Sequence, residues 1–510
     1  MLFSSYDFVF LYLPIVILTS VVWTRIFSKT SLIYFLLFSS LLFYAWSDVS
    51  LLLVIGISIF INLIFGKLIF ENRNKLLLIG AIAFNLGLLG YFKYSNFFIE
   101  NIGNLFSISI STLQIALPLG ISFFTFQQIA YQVDIYKGIT KPASFFRYAL
   151  FVSFFPQLIA GPIVHYKKLL PQLQSISITR SSIAAGTTLF IIGLSKKVLI
   201  ADKLAPLVNY YFNGIGGDSF SAGFFDTWLA VLAYSFQLYF DFSGYSDMAL
   251  GITLCFSIVL PINFFSPYKA ISLTQFWRQW HITLSDFLRE YVYIPLGGNK
   301  DGKVRQVQNI LLTMLLGGIW HGAGWNFILW GALSGFIMGA ERLTGYTKLP
   351  LSKLVYVLKI GLTFLVITLL WVLFRADSVE SALHIYSILL GQSDIILGNA
   401  IYENQIYGSL ENRAVAIVST LFFSQETSMI LLWVGALIGC MIIVFALPNT
   451  AQIFKGQLNT DEHYSKLTKI ASLISFTWRP NAYWLVITCF LMLCATLFMK
   501  RQAEFLYFQF

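Results

Sequence analysis

The sequence predicts an all-α protein that crosses a membrane many times. Of its 510 residues, 57% are hydrophobic and 17% are aromatic, whereas only 11% are charged. Soluble proteins carry charge on about a quarter of their residues, and these charges solvate the surface. Apolar stretches recur along the whole chain, and many are close in length to the roughly 20 residues that a helix needs to cross a bilayer. These observations exclude a water-soluble enzyme, a disordered chain and a coiled coil.

The apolar stretches predict about 11 crossings by their lengths. Residues 1–23 precede the first basic residue, so they lack the basic region of a signal peptide, and we expect them to stay as the first membrane helix. Two crossings follow before residue 75, and the further spans are predicted at 76–94, 183–200, 228–255, 310–318, 326–340, 354–374, 429–446 and 482–499. The shorter apolar pieces 117–129 and 145–159 predict tilted, re-entrant or interfacial helices.

The charge pattern predicts the orientation of the chain. The net charge is +10, from 33 Lys and Arg against 23 Asp and Glu, and the basic residues lie in short loops between apolar stretches. Basic loops stay on the cytoplasmic side, so the alternation of loops places the N-terminus outside and the loop of Arg25 in the cytoplasm. This distribution fits a membrane with anionic lipid and argues against nucleic acid as a partner.

The organisation predicted for residues 1–510 is a single integral membrane domain. Residues 120–376 hold the polar motifs and are the expected catalytic core. Residues 377–427 begin with apolar residues at helical spacing, which predicts an amphipathic, peripheral segment followed by a polar loop. Residues 428–510 predict the C-terminal membrane helices. The matched halves of a duplicated transporter are not found in the sequence.

Polar residues inside the apolar stretches are candidates for functional sites, because a charge at bilayer depth costs several kcal/mol. The first such cluster lies at residues 234–251, where Asp241 and Asp247 flank Gly244 in an apolar stretch. The two carboxylates are candidates for an acid and a base, or for a cation site. Alternatively, each caps a broken helix or pairs with a nearby arginine. Gly244 allows either a close backbone approach or a break in the helix.

The second cluster lies at residues 267–300. Five of its residues recur at steps of three and four and predict one helical face: Trp277, Trp280, His281, Leu284 and Leu288. Arg278 and Arg289 lie on other faces of the same predicted helix. His281 is either a hydrogen-bonded structural residue of this helix or part of a site.

The third cluster surrounds His321, which Trp320 and Trp325 bracket in a long apolar stretch. Four of the eight residues 317–324 are glycine, and each destabilises a regular helix by about 1 kcal/mol. A loosened backbone at membrane depth is tolerated where it is buried in protein or lines a cavity. We therefore expect His321 to face an internal channel, where a neutral imidazole accepts a proton from a hydroxyl or thiol. The alternative is a packed helix junction.

Other chemistries are poorly supported by the residues. His281 and His321 are 40 positions apart, and HExxH and zinc-ligand spacings are absent from the sequence, so no metal site is predicted. A phosphate-binding loop and a GxSxG nucleophile motif are also absent. The remaining histidines, His165, His384 and His463, are expected at the surface.

Taken together, the motifs resemble the membrane-bound O-acyltransferases, and within them the bacterial alginate O-acetyltransferase branch. The resemblance rests on FWRQWHITLSDFLREYVYIPLGGNK at 276–300 and GGIWHGAGWNFILWG at 317–331. Further matching segments, in the same order, lie at 120–138, 154–173, 239–251 and 371–376.

The resemblance implies a ring of helices around a central funnel, with His321 as the catalytic histidine and His281 as the second family histidine. It implies that acetyl-CoA, the donor, enters from the cytoplasm, that no cofactor is permanently bound, and that the acceptor approaches from outside. The expected partner is a periplasmic acetyltransferase with a Ser-His-Asp hydrolase-like fold (SGNH type), which acetylates a polysaccharide such as alginate. The expected location is the bacterial inner membrane.

The resemblance also directs the choice of further site residues. Trp280, Trp320 and Trp325 are expected around the funnel, with Asp241 and Asp247 as further candidates. Cationic contacts to the donor's phosphates are expected near the cytoplasmic mouth, and the candidates for them are Lys196, Lys197, Arg278 and Arg289.

Three alternatives stay open from the sequence. One is transfer of D-alanine or another acyl group to teichoic acid or another acceptor. Another is a transporter or lipid flippase without catalytic residues, and the third is a scaffold of a polysaccharide export complex. The sequence also leaves open whether His321 acts as a general base or is itself acylated.

Overall fold

The computed structural model describes residues 1–46, 48–159, 161–214, 223–346, 352–392, 425–458, 476–499 and 506. Its regular elements in these residues are helices, which confirms the all-α fold class. In chain order they are α1 (Leu13–Ile26), α2 (Leu32–Ala45), α3 (Leu51–Asn72), α4 (Lys75–Phe106), α5 (Ile121–Tyr136), α6 (Phe145–Ser153), α7 (Phe155–Leu158), α8 (Tyr166–Gln174), α9 (Arg180–Ser195), α10 (Asp202–Gly214), α11 (Phe224–Cys255), α12 (Leu273–Trp277), α13 (Ile282–Leu288), α14 (Gly302–His321), α15 (Trp325–Thr344), α16 (Lys353–Arg375), α17 (Val379–Leu389), α18 (Gln425–Ala446), α19 (Thr450–Ile453) and α20 (Ala482–Phe498).

Several of these helices are long and apolar enough to cross a bilayer. Within the described ranges, five helical stretches meet both conditions: Asp7–Ile26, Leu51–Asn72, Lys75–Phe106, Arg180–Gly214 and Lys353–Arg375. Leu32–Ala45, Leu431–Ala446 and Ala482–Phe498 are apolar but shorter. The total of about 11 crossings stays a prediction.

The centre of the molecule is α11, whose residues from Ala233 onward are all buried. It packs against α9 at glycines, since a Cβ on Gly193 would meet the carbonyl oxygen of Gly244, and one on Gly244 would meet that of Gly193. The sequence left two roles open for Gly244. The structure confirms the close approach, because α11 runs through this position without a break.

Helices α14 and α15 form an antiparallel hairpin beside this centre. Small residues again set the distance, since a Cβ on Gly318 would meet the carbonyl oxygen of Phe327 and the Cα of Gly331. The extended residues Gly322 and Gly324 join the two helices, with φ angles of −161° and −162°. The predicted loosening of the backbone is therefore confined to residues 322–324, because α14 is regular through Gly317 and Gly318.

The prediction of one continuous helix through Trp277 and Leu288 is wrong. Helix α12 ends at Trp277 and α13 begins at Ile282. His281 lies between them in the left-handed conformation, with φ 43° and ψ 54°. The chain turns here because the next backbone amides bind Asn263 rather than the preceding turn of a helix.

The segment predicted to begin with an amphipathic helix has α17 at its start. Helix α17 buries its apolar face through Ala382, Ile385, Ile388 and Leu389. The polar loop predicted after it falls largely on residues 393–424, which lie outside the described residues. Helices α18 and α20 occupy the two spans predicted near the C-terminus.

Candidate active site

His321 is the last residue of α14 and is buried among aromatic rings. Its ring centroid lies 4.9 Å from that of Trp320, 5.2 Å from that of Trp330 and 5.1 Å from that of Phe374. The three rings come from α14, α15 and the end of α16, so three helices fix the place of one imidazole. These aromatic rings restrict the access of water to the histidine.

His281 contacts the same tryptophan. Its ring centroid lies 6.2 Å from that of Trp320 and 4.7 Å from that of Phe242. The residue is fully buried, and neither ring nitrogen has a hydrogen-bond partner among the described residues. A buried imidazole without partners, on a left-handed backbone, is costly for the fold, and such costs concentrate at functional sites.

Asn263 holds the backbone around His281. Its carbonyl oxygen accepts a hydrogen bond from the amide of Ile282 at 3.0 Å, and its Oδ1 accepts one from the Thr283 hydroxyl at 2.7 Å. The same hydroxyl accepts a bond from the amide of Ile163 at 2.9 Å. Three separate segments therefore meet at this turn. No sequence pattern marks Asn263, because its role depends on a contact across 20 residues.

A cavity of about 540 Å³ runs along α14 and ends at His321. The residues that α14 contributes recur at steps of three and four from Gln306 to His321, so they form one stripe along the helix. This stripe is about 22 Å long at the helical rise per residue. The volume lies within the range of roughly 300–1,000 Å³ that small-molecule sites occupy.

Three arginines and one carboxylate line the first cavity. Arg278, Arg289 and Arg342 line it, together with Glu341. The Glu341 carboxylate is already engaged, because it accepts bonds from the amides of Leu273 and Thr274 at 2.6 and 3.0 Å. The predicted contacts of Arg278 and Arg289 thus fall on a cavity wall that suits an anionic ligand.

A second cavity, of about 350 Å³, lies beyond the end of α14. Its lining includes Gly324, Asn326, Phe374, Arg375 and Asp377. Phe374 lines this cavity, and its ring centroid lies 5.1 Å from that of His321. His321 therefore lines the first cavity and contacts a residue that lines the second.

The two intramembrane carboxylates lie elsewhere and are paired with lysines. Asp241 binds Lys197 at 2.7 Å, and Lys197 also binds Asp202 at 2.6 Å. Asp247 binds Lys196 at 2.6 Å. The pairing expected as an alternative is therefore present, with lysine in place of arginine. The ammonium groups of Lys196 and Lys197 are engaged by these carboxylates and lie outside the linings of both cavities.

The other tryptophans predicted around the funnel take different places. Trp280 is buried, and its ring centroid lies 5.1 Å from that of Trp371. Trp325 is 57% exposed, and its Nε1 donates a bond to Asn101 at 2.9 Å. Of the three, only Trp320 contacts His321 or His281 among the ring pairs described.

The expectation of a surface position for His165 is wrong. His165 is buried, and its Nδ1 lies 3.0 Å from the hydroxyl of Tyr291, which also donates to Asp134 at 3.0 Å. His384 is exposed as predicted, and His463 lies outside the described residues. Within the described ranges, no group of three or more His, Cys, Asp or Glu side chains is placed to hold a metal ion.

The comparisons with known proteins agree with the geometry. The model of the membrane-bound O-acyltransferase family matches residues 82–347. A peptidoglycan O-acetyltransferase of Helicobacter pylori is 37% identical, and the match covers 100% of this chain and 98% of the relative. The chain belongs to the membrane-bound O-acyltransferase family.

Other members show how the similarity is distributed. A protein named "probable alginate O-acetylase" from Pseudomonas aeruginosa is 41% identical over 76% of this chain and 74% of the relative. A teichoic acid D-alanyltransferase of Bacillus subtilis is 29% identical over 48% of this chain and 65% of the relative. The protein is therefore a multi-pass membrane acyltransferase. A transporter or a scaffold without catalytic residues does not fit this family.

Proposed function

We propose that the protein takes an acetyl group from acetyl-CoA on the cytoplasmic side and passes it across the bacterial inner membrane for O-acetylation of a polysaccharide. The position of His321 carries this proposal. The imidazole ends one cavity and, through Phe374, adjoins a second. A donor and an acceptor that enter from opposite ends of α14 would meet at this ring.

In the proposed reaction, His321 accepts the proton of the acceptor hydroxyl. The hydroxyl oxygen forms an ester bond with the acetyl carbonyl carbon, and the bond between that carbon and the sulfur of coenzyme A breaks. The proton then moves from His321 to the departing sulfur, so that the products are an acetyl ester and the free thiol. Holding both reactants at one base and excluding water contributes to the rate enhancement.

His281 has a supporting role in this proposal. Its ring and that of His321 both contact Trp320, but His281 does not line the first cavity. Its two ring nitrogens are buried without partners among the described residues, which supports a role that a bound substrate or water completes.

The donor side of the proposal rests on charge. The first cavity carries Arg278, Arg289 and Arg342, while its one carboxylate, that of Glu341, is bound to backbone amides. Coenzyme A carries phosphates at one end and the thioester at the end of a long apolar arm. Phosphates near the arginines and an arm along the stripe of α14 would bring the thioester towards His321.

The second cavity, which we assign to the acceptor, has a less apolar lining than the first. Arg375 and Asp377 line the second cavity, and their side chains lie 3.7 Å apart. We propose that an acceptor hydroxyl enters here, from a periplasmic acetyltransferase with an SGNH hydrolase-like fold that then acetylates the polymer. Similarity to the peptidoglycan enzyme extends over the whole chain, and similarity to the alginate protein over three quarters of it, so peptidoglycan and alginate are the polymers to test.

The proposal is tested with purified protein in detergent and radiolabelled acetyl-CoA, with released thiol and labelled ester as readouts. We expect His321→Ala to lose transfer by a factor of at least about 100, as for removal of a general base. His384→Ala is the matched control, because His384 is exposed on α17, and it should keep wild-type transfer. Full transfer by His321→Ala would refute the role of this residue.

The donor is tested separately. Transfer of D-alanine from a carrier-protein thioester, with no transfer from acetyl-CoA, would instead favour the D-alanyltransferase alternative that the more distant relatives suggest. In vesicles, acetyl-CoA supplied to the face that carries Arg278 and Arg289 should support transfer, whereas acetyl-CoA on the other face should not. Equal transfer from both faces would refute the proposed direction.

A further inference from the structure

The C-terminal end of α14 is held by side chains of α4. The last carbonyl groups of a helix have no partner within it, and at membrane depth no water replaces that partner. The chain leaves α14 through the extended Gly322, and no backbone amide of the described residues is found to cap the end of the helix. The partners instead come from two consecutive residues, Lys93 and Tyr94.

Lys93 makes the two contacts nearest to the candidate base. Its Nζ donates to the carbonyl oxygens of Trp320 and His321, each at 2.8 Å. The hydroxyl of Tyr94 donates to the carbonyl oxygen of Ile319. A cation is favourable at this end of a helix, where the aligned peptide dipoles leave negative partial charge. One ammonium group thus fixes the backbone of His321 and that of the tryptophan between the two histidines.

We propose that Lys93 is a positioning residue for the acyl transfer. Its contacts with the end of α14 hold His321 in place beside the two cavities. This inference rests on the proposed function of His321. Lys93 lines neither cavity, so it acts through the helix end and makes no contact with either substrate. A lysine inside an apolar stretch is costly unless a specific partner holds it, and here two carbonyl oxygens of the site do so.

The proposal predicts a particular kinetic change. In Lys93→Met, the carbonyl groups of Trp320 and His321 lose their donor, the end of α14 loosens, and the imidazole departs from its place. A displacement of about 1 Å costs up to about 100-fold in rate, so we expect kcat to fall about 10- to 100-fold. The KM for acetyl-CoA should stay close to that of the wild type, because the arginine-lined wall is untouched. Lys93→Arg keeps a cation and donors, and it should recover most of kcat.

Lys359 provides the matched control. It is buried on α16, and its Nζ donates to the carbonyl oxygen of Tyr346 at 2.7 Å, outside the linings of both cavities. Lys359→Met removes an equivalent lysine–carbonyl contact and should leave kcat unchanged. A folded Lys93→Met with wild-type kcat, or no recovery of kcat in Lys93→Arg, would overturn the proposal.

A second measurement does not depend on the acyl donor. Amide hydrogen exchange of residues 318–326 in the purified full-length protein should be faster in Lys93→Met than in the wild type, and unchanged in Lys359→Met. Unchanged exchange in Lys93→Met would refute the positioning role of Lys93 even if acetyl-CoA proved to be the wrong donor. Absence of transfer in the wild-type protein would instead refute the proposed function, while faster exchange in Lys93→Met would still support the positioning role.

Discussion

The Thr283 hydroxyl donates a hydrogen bond to Oδ1 of Asn263 at 2.7 Å, two residues after the left-handed backbone of His281. A non-glycine residue in this conformation needs surrounding contacts that fix it. The amides of Ile282 and Thr283 both bind Asn263, and the amide of Ile163 binds the Thr283 hydroxyl. The position of His281 is therefore set by polar contacts with residues outside α12 and α13.

Replacing Thr283 by valine tests this arrangement. The change keeps the shape of the side chain but removes the hydroxyl, which leaves Oδ1 of Asn263 and the amide of Ile163 with fewer partners. Leaving a buried polar group unsatisfied costs about 1–3 kcal/mol, so we expect a lower melting temperature in detergent. We also expect a reduced kcat per folded molecule, because His281 loses its support. Thr283→Ser keeps the hydroxyl and is the control. Wild-type kcat in folded Thr283→Val would show that the turn does not serve the reaction.

The second prediction concerns the link after His321. A Cβ on Gly322 would overlap the ring of Phe327, which packs against Phe374 with a centroid distance of 5.3 Å. Gly322→Ala therefore displaces Phe327 and, through it, the ring of Phe374, which contacts His321 and lines the second cavity. A one-methyl change in a packed core typically costs about 1–3 kcal/mol, and we expect transfer to fall with it.

Gly361→Ala is the control for this prediction, since nothing lies within 4 Å of the added Cβ on α16. Its activity and melting temperature should match those of the wild type. The double variant Gly322→Ala/Phe327→Leu relieves the overlap and should regain part of the lost activity. If the double variant were no more active than Gly322→Ala, the displaced ring would not be the cause.

The third prediction concerns the arginines of the first cavity. Arg278 and Arg289 line it and are exposed. Replacing both by glutamine should raise the KM for acetyl-CoA with little change in kcat, because the lost contacts are made equally in the ground and transition states. The wild-type KM should also rise with salt, since exposed charges are screened.

Arg305→Gln is the matched control for the arginines. Arg305 is exposed on α14 but does not line the cavity, so its replacement should leave KM unchanged. Equal increases of KM in Arg305→Gln and in the double variant would point to a general effect of surface charge rather than to a phosphate-binding wall.

The sequence predicted most helices but not the turns that place the site. Stretches such as 76–94 and 354–374 are mostly apolar, and the structure has α4 and α16 there. The break at His281 was missed because apolar residues at steps of three and four fit one continuous helix as well as two short helices. The contacts of Asn263 that cause the break become visible only in three dimensions. The carbonyl groups that bind Lys93 lie more than 220 positions away. The lone lysine in an apolar span was the one signal that marked it.

The fourth prediction separates stability from catalysis at the intramembrane ion pairs. Lys197 is buried and binds both Asp241 and Asp202, so Lys197→Met leaves two carboxylates without their cation. Breaking a buried ion pair by removing one partner costs about 3–5 kcal/mol, and we expect a large fall in melting temperature. Lys203→Met is the control: Lys203 is only partly buried, with its ammonium 4.4 Å from the ring of Phe498, and its loss should lower the melting temperature less than Lys197→Met does. The kcat of the Lys197→Met molecules that stay folded should match that of the wild type, because the pair lies outside both cavities. A loss of kcat at an unchanged melting temperature would instead return Asp241 to the reaction as an acid or a base.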